Sequence, residues 1–204
     1  STATGVFINS SWGNTFSEAI YTAAELTAAG LSAGSITGIR LGYSATSSYS
    51  KELTIYMANT NLTSLTSTSS MVNPRTMTKV LNPVVRPSGS PAGWEYYTFD
   101  TPFIWDGTSN IVMATFYNQS GGNHASTGHY SYATSTGRTG SSIYKYKDNN
   151  PFTESDCMST GNSGSATTYV PSVSWVKLPC AVESPCAPPL VQVTRVDLDT
   201  VSII

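Results

Sequence analysis

Short runs in which apolar and polar residues alternate one for one set the tightest limit on what this chain can fold into. Ile39, Leu41 and Tyr43 alternate with Arg40 and Gly42, and Leu53, Ile55 and Met57 with Thr54 and Tyr56. Tyr97 and Phe99 flank Thr98, and Ile111, Met113 and Thr115 interleave with Val112, Ala114 and Phe116. Tyr144 and Tyr146 alternate with Lys145 and Lys147, and Val173, Trp175 and Lys177 close the series. Side chains two apart on a strand share a face, so this pattern marks strands with one buried and one solvated side. Turn-forming clusters bound the runs: Ser88-Gly89-Ser90-Pro91, Asp106-Gly107, Gly121-Gly122-Asn123 and Asn149-Asn150-Pro151. Seven or more such strands within about 180 residues predict an all-β fold, an antiparallel two-sheet sandwich that is jelly-roll-like and galactose-binding-like.

One stretch competes for helix. Residues 17–29 (SEAIYTAAELTAA) are rich in Ala and Glu, with Ser17 placed as an N-cap and Gly30 as a stop. The alternative is a strand through Ile20 and Tyr21, then a helical turn over Ala23 to Ala28. The strand propensity of Ile20-Tyr21-Thr22 favours the second reading.

Composition narrows the function classes. Only 11% of the 204 residues are charged and the net charge is −2, while 31 Ser and 28 Thr supply the polarity. Ten scattered Lys and Arg make no basic stripe, which argues against nucleic acid as a partner. A hydrophobic share of 39% argues against disorder. No apolar run reaches the roughly 18 residues of a membrane-inserted helix. A Ser/Thr/Tyr-rich, weakly charged surface points to an extracellular or cell-surface setting, and Ser1 is expected to follow a processing boundary.

Cys157, Cys180 and Cys186 all lie in the last quarter and form no CxxC pair, so a zinc site is not expected. A bridge from Cys157 to Cys180 would staple a long loop to the final strand; bridges that involve Cys186 stand beside it. Asn9, Asn61 and Asn118 head N-x-S/T sequons, which matter only in a host that glycosylates them.

Near the C-terminus the texture changes. Pro179, Pro185, Pro188 and Pro189 read as an extended linker, and residues 190–204 as two short strands with an acidic turn between them. The expected organisation is a sandwich module over 1–182, a Pro-rich linker over 183–189, and the opening strands of an incomplete domain over 190–204.

Two motifs carry a resemblance. The first is Ser17-Glu18-Ala19-Ile20-Tyr21-Thr22-Ala23-Ala24-Glu25-Leu26, followed by Gly34-Ser35-Ile36-Thr37-Gly38-Ile39. The second is Gly93-Trp94-Glu95-Tyr96-Tyr97-Thr98-Phe99-Asp100-Thr101-Pro102-Phe103, then Trp105-Asp106-Gly107-Thr108-Ser109-Asn110-Ile111-Val112. Over roughly residues 1 to 182 the chain resembles the β-sandwich modules that recur in large secreted and surface proteins of Bacteroidota. Such modules commonly precede fibronectin type III domains, and the segment from Cys186 looks like the start of one. The carriers include adhesins and peptidases, so the resemblance implies a fold and a setting but no catalytic or binding residue. Within the second motif, Trp94, Tyr96 and Phe99 lie on a candidate strand, Asp100-Thr101-Pro102 reads as the turn ending it, and Asp106-Gly107 as a turn into the next.

Candidate chemistry is sparse. His124 and His129 are five apart in a Gly/Ser/Thr-rich loop, a spacing that fits neither a helix face nor a strand face. No G-x-S-x-G elbow is present, and several of the six Asp and six Glu sit in turns. An enzyme is not expected. No cofactor is expected either, although calcium would suit the oxygen donors near Asp148, Glu154 and Asp156. Aromatics are the better lead, because Trp and Tyr join an apolar ring to a polar tip. Tyr130, Tyr132, Tyr144 and Tyr146 alternate near Asn123, His124 and Arg138, and Trp12 lies in a Gly/Asn/Ser setting. The ligand-binding candidates are therefore Trp12, Asn123, His124, Tyr130, Tyr132 and Arg138. The expected role is a non-catalytic adhesion or ligand-binding module that meets a host or environmental glycan or protein. The alternatives are a structural spacer, or a carbohydrate-binding accessory to a secreted hydrolase or peptidase.

Overall fold

The computed structural model describes residues 2–3, 8, 12–120, 131–177, 196–197 and 200–201. Among them the elements run β1 (Thr2–Ala3), β2 (Asn14–Tyr21), α1 (Ala23–Ala28), β3 (Gly34–Tyr43), β4 (Lys51–Thr60), β5 (Thr78–Arg86), β6 (Gly93–Trp105) and β7 (Asn110–Gln119). There follow β8 (Tyr132–Ser135), β9 (Ser142–Lys147), β10 (Asn162–Ser163), β11 (Tyr169–Pro171), β12 (Val173–Lys177), β13 (Val196–Asp197) and β14 (Thr200–Val201). The fold is all-β. A six-stranded sheet in the order β10-β9-β2-β7-β4-β5 packs on a three-stranded sheet, β12-β3-β6, and a small sheet, β1-β8-β11, lies alongside. Every ladder is antiparallel.

The main core lies between the two larger sheets. Ile39, Leu41 and Tyr43 of β3 and Tyr97 and Phe99 of β6 meet Leu53, Ile55 and Met57 of β4 and Ile111, Met113 and Tyr117 of β7. These are the apolar halves of the alternating runs, and burying each such side chain contributes about 1.5–3 kcal/mol. The polar halves of β3 and β6 remain outside: Arg40, Trp94, Tyr96 and Thr98 are exposed.

The six-stranded sheet is covered on its other face too, by loops. Phe16, Ile20, Tyr56, Val112, Ala114, Phe116 and Ile143 pack beneath Leu65 and Met71 from one loop and Phe152 and Cys157 from another. This second cluster explains why β2 is buried along its whole length. It also inverts the pattern in β9: Lys145 is buried, its ammonium donating to the Cys157 carbonyl at 2.8 Å, while Tyr144 and Tyr146 are half-buried.

The strand-then-turn reading of residues 17–29 describes the structure. β2 runs to Tyr21, and Thr22 caps α1 in a capping box whose Thr22 Oγ1 accepts from Glu25 N while Glu25 Oε2 accepts from Thr22 N. The turn expected at Asp100-Thr101-Pro102 is not a strand end, because β6 continues through it to Trp105. Its register against β3 shifts between Ile36 and Gly38, so β6 bulges there. β6 is an edge strand, where a proline costs no ladder bond. Asp106-Gly107 is the turn expected: Asp106 Oδ1 accepts from Thr108 N and Ser109 N, and Gly107 takes a φ of +83°.

Residues 178–195, with Cys180, Cys186 and the Pro-rich stretch, lie outside the described residues. Beyond them β13 and β14 pair with each other. The expected Cys157–Cys180 bridge does not appear at Cys157, which carries a free thiol in the loop-covered cluster with no exposed surface. The Asn118 sequon is closed to modification in the folded chain. Its amide donates to the Phe152 carbonyl at 2.9 Å and its carbonyl accepts from Phe152 N at 3.0 Å.

Candidate functional site: an aromatic face on the three-stranded sheet

Among the described residues, the outer side of β12-β3-β6 carries the two most exposed aromatic side chains. Trp94 is 46% and Tyr96 53% exposed, both on β6, where Tyr97 and Phe99 take the inward positions. Opposite them β3 presents Gly38, Arg40 and Gly42, with Arg40 paired to Tyr96 and Gly42 to Trp94. The glycines make room for rings. A β-carbon on Gly38 would collide with the Tyr97 carbonyl oxygen at 2.6 Å and lie 3.1–3.2 Å from the Tyr96 hydroxyl and ring, and one on Gly42 would collide with the ring of Tyr132. Tyr96 therefore lies across Gly38 and Tyr132 across Gly42, and the Tyr132 ring centre is 6.0 Å from that of Trp94. The result is a row of three rings on a sheet surface, with Arg40 between them.

A buried polar network holds the strand that presents this row. Between Trp94 and Tyr96, Glu95 turns inward, accepting from Arg86 Nε at 2.8 Å and from the Tyr97 hydroxyl at 2.8 Å. The Tyr97 and Tyr43 hydroxyls share a hydrogen bond of 2.7 Å. The Arg86 guanidinium, only 1% exposed, stacks 3.9 Å from the centre of the Tyr43 ring and donates to the Pro91 carbonyl at 2.7 Å. Burial raises the Tyr43 and Tyr97 hydroxyls above the ordinary phenol value, so both stay protonated donors. β5 and β6 are joined by this network and not by a ladder.

The expected site residues fall in different places. Tyr132 joins the aromatic row. Trp12 stacks on Tyr146 with ring centres 4.0 Å apart, and Tyr144 stands 6.0 Å from Tyr146, a separate half-buried group. Lys51 pins that segment, donating to the carbonyls of Trp12 (2.9 Å) and Gly13 (2.6 Å). Arg138 is spent on internal bonds, to Thr63 O at 2.7 Å, Ile20 O at 3.0 Å and both oxygens of Glu25. Asn123, His124 and Tyr130 lie outside the described residues.

The calcium candidates do not converge. Asp148 accepts from Gly13 N at 3.2 Å, Glu154 pairs with Lys79 at 2.7 Å, and Asp156 pairs with Lys147 at 2.9 Å. Among the described residues no three His, Cys, Asp or Glu side chains gather as metal ligands. Lys79 holds the Glu154 carboxyl below its ordinary value. Glu154 also accepts from the Tyr56 hydroxyl, beside an open cleft of about 350 Å³ between β4, β5 and the loop around residue 153.

Among the described residues, Glu18 is the carboxyl furthest from its ordinary state. It is fully buried under the loop at Val72, whose N–H donates to Oε2 at 2.9 Å, and Oε1 has no hydrogen-bond partner. Burial pushes it up to about 8. It belongs to the loop-covered core, not to a cleft.

Sequence reasoning places Trp94 and Tyr96 on a strand without recognising them as a contact surface. Their signal is positional: they occupy the face opposite Tyr97 and Phe99. Comparison with known proteins finds no matching family model, no matching curated protein and no matching solved structure.

Proposed function

We propose that this chain is a non-catalytic, extracellular ligand-binding module of a multidomain bacterial surface or secreted protein, and that its aromatic row receives glycan chains. The observation that carries the reading is the row of exposed Trp94 and Tyr96 and half-buried Tyr132, laid on a sheet whose own facing residues include glycines. Sugar rings present C–H faces that pack on aromatic planes, while ring hydroxyls need polar neighbours. Arg40, Thr98 and Ser174 supply those neighbours on the same side of the sheet. The weakly charged, Ser/Thr-rich composition supports the extracellular setting, and the motif likeness to Bacteroidota modules supports the multidomain parent.

The test is a glycan array and affinity electrophoresis with wild-type protein, Trp94→Ala and Tyr96→Ala. Both side chains are exposed, so near-UV circular dichroism should show intact packing in each variant. Removing a central aromatic contact typically costs about 2 kcal/mol, or roughly 30-fold in affinity. Selective binding that both variants lose supports the reading. Binding that survives both substitutions, or none to any glycan, overturns it.

A further inference from the structure

The aromatic row has one free charge in its middle, and we propose that it selects acidic glycans, sugars that carry a carboxylate or sulfate group recognised by Arg40. This rests on the glycan-binding reading above and gives it a ligand class. The three strands of the β12-β3-β6 sheet hold four charged residues: Arg40, Glu95, Asp100 and Lys177. Three are committed elsewhere. Glu95 is turned inward to Arg86 and Tyr97, Asp100 Oδ2 accepts from Asn82 N at 2.8 Å, and Lys177 donates to Ser32 O, Ser32 Oγ and Ala33 O at 2.8–2.9 Å. Arg40 alone is exposed with no hydrogen bond or ion pair to any described residue.

Its position makes that freedom specific. Arg40 stands between Gly38, which lies under Tyr96, and Gly42, which lies under Tyr132. A sugar stacked on either ring brings its ring substituents to the guanidinium. A planar five-donor fork fits a carboxylate or a sulfate with two parallel hydrogen bonds, whereas a hydroxyl offers one acceptor oxygen. The 204-residue chain carries a net charge of −2, so a polyanion gains nothing from its general field and must be held locally.

Affinity electrophoresis through gels containing polygalacturonate (carboxylate), heparin (sulfate as well as carboxylate) or dextran (neutral) tests this, using wild type, Arg40→Gln, Arg40→Lys and Trp94→Ala. The expected result is retardation by an acidic polymer, weakened at least 10-fold in Arg40→Gln, less in Arg40→Lys, and at least 10-fold in Trp94→Ala. Retardation by polygalacturonate supports carboxylate recognition, and retardation by heparin alone supports sulfate recognition. Equal retardation of wild type and Arg40→Gln, together with loss in Trp94→Ala, overturns the acidic preference and leaves the aromatic face standing. Retardation by dextran alone, lost in Trp94→Ala, does the same. Absence of retardation by every polymer overturns both.

Discussion

The ring of Tyr132 rests on Gly42, so a side chain from the small β1-β8-β11 sheet completes a surface built on β3 and β6. The three heavy atoms nearest to a β-carbon at 42 all belong to the Tyr132 ring. Gly42→Ala should therefore fold but evict the ring, at about 1–3 kcal/mol of stability. In a Tyr132→Ala background the same substitution should cost little. Urea unfolding of the two single variants and the double variant measures the coupling. Equal cost of Gly42→Ala in both backgrounds would contradict the contact.

Arg86 and Glu95 form the ion pair behind the aromatic row, with the guanidinium buried and the carboxyl half-buried. Arg86→Met should destabilise by about 1–3 kcal/mol, because it leaves the Glu95 carboxylate, still partly reached by water, without its cation. A double Arg86→Met/Glu95→Gln variant should recover part of that loss. Chemical denaturation is the readout, and an Arg86→Met midpoint within error of wild type would show that the pair carries no such role.

Glu18 gives the stability a pH slope that runs across neutrality. Its folded value of about 8 lies above the ordinary 4.5, so the folded chain holds this proton more tightly than the unfolded chain does. The contribution is fully present below pH 4.5 and is lost as pH rises to about 8. Glu154 and Asp156 are shifted downward, and so act below this window. Urea midpoints at pH 5, 6.5 and 8 should fall for wild type and stay flatter for Glu18→Gln. Parallel profiles would rule out Glu18 as the source.

Cys157 should be inert in the folded protein. Burial, aided by the charges of Asp156 and Glu18, pushes its thiol up to about 11, and none of its surface is exposed. Titration with a thiol reagent at pH 8 should give the same native count for wild type and Cys157→Ala. In urea under reducing-agent-free conditions, wild type should give one thiol more. A native difference of one would mean that the loop over Cys157 opens.

The fold was readable wherever one face of a strand is dry and the other wet, as in β3, β4 and the first half of β6. It was not readable where both faces are covered. β9 shows this: Lys145 looks like the solvent-side partner of Tyr144 and Tyr146, yet it reaches under a loop to a carbonyl that no local pattern announces. Proline at 102 misleads in the same way, because its tolerance depends on β6 being an edge, a property of the whole sheet. Trp94 and Tyr96 were visible as strand residues. The glycines beneath the rings could not be matched to them, since cross-strand register joins positions more than 50 apart in the chain. Arg138 illustrates the converse, a loop arginine that looks free in sequence and is consumed by Glu25 and two carbonyls.

The loop cover on the six-stranded sheet decides where this chain tolerates cutting and splicing. Leu65, Met71, Phe152 and Cys157 make those loops part of the wall, so a peptide tag or a permuted terminus placed among them would open the second cluster to water. The turn at Ser88-Gly89 is a different kind of place: nothing lies within 4 Å of a β-carbon at Gly89. Its backbone is nevertheless tied to the loop before β4, Gly89 N donating to Ser47 O at 2.7 Å and Ser47 N to Ser90 O at 2.8 Å, so a label carried on the exposed Ser88 leaves both layers closed, whereas an inserted segment would break those bonds.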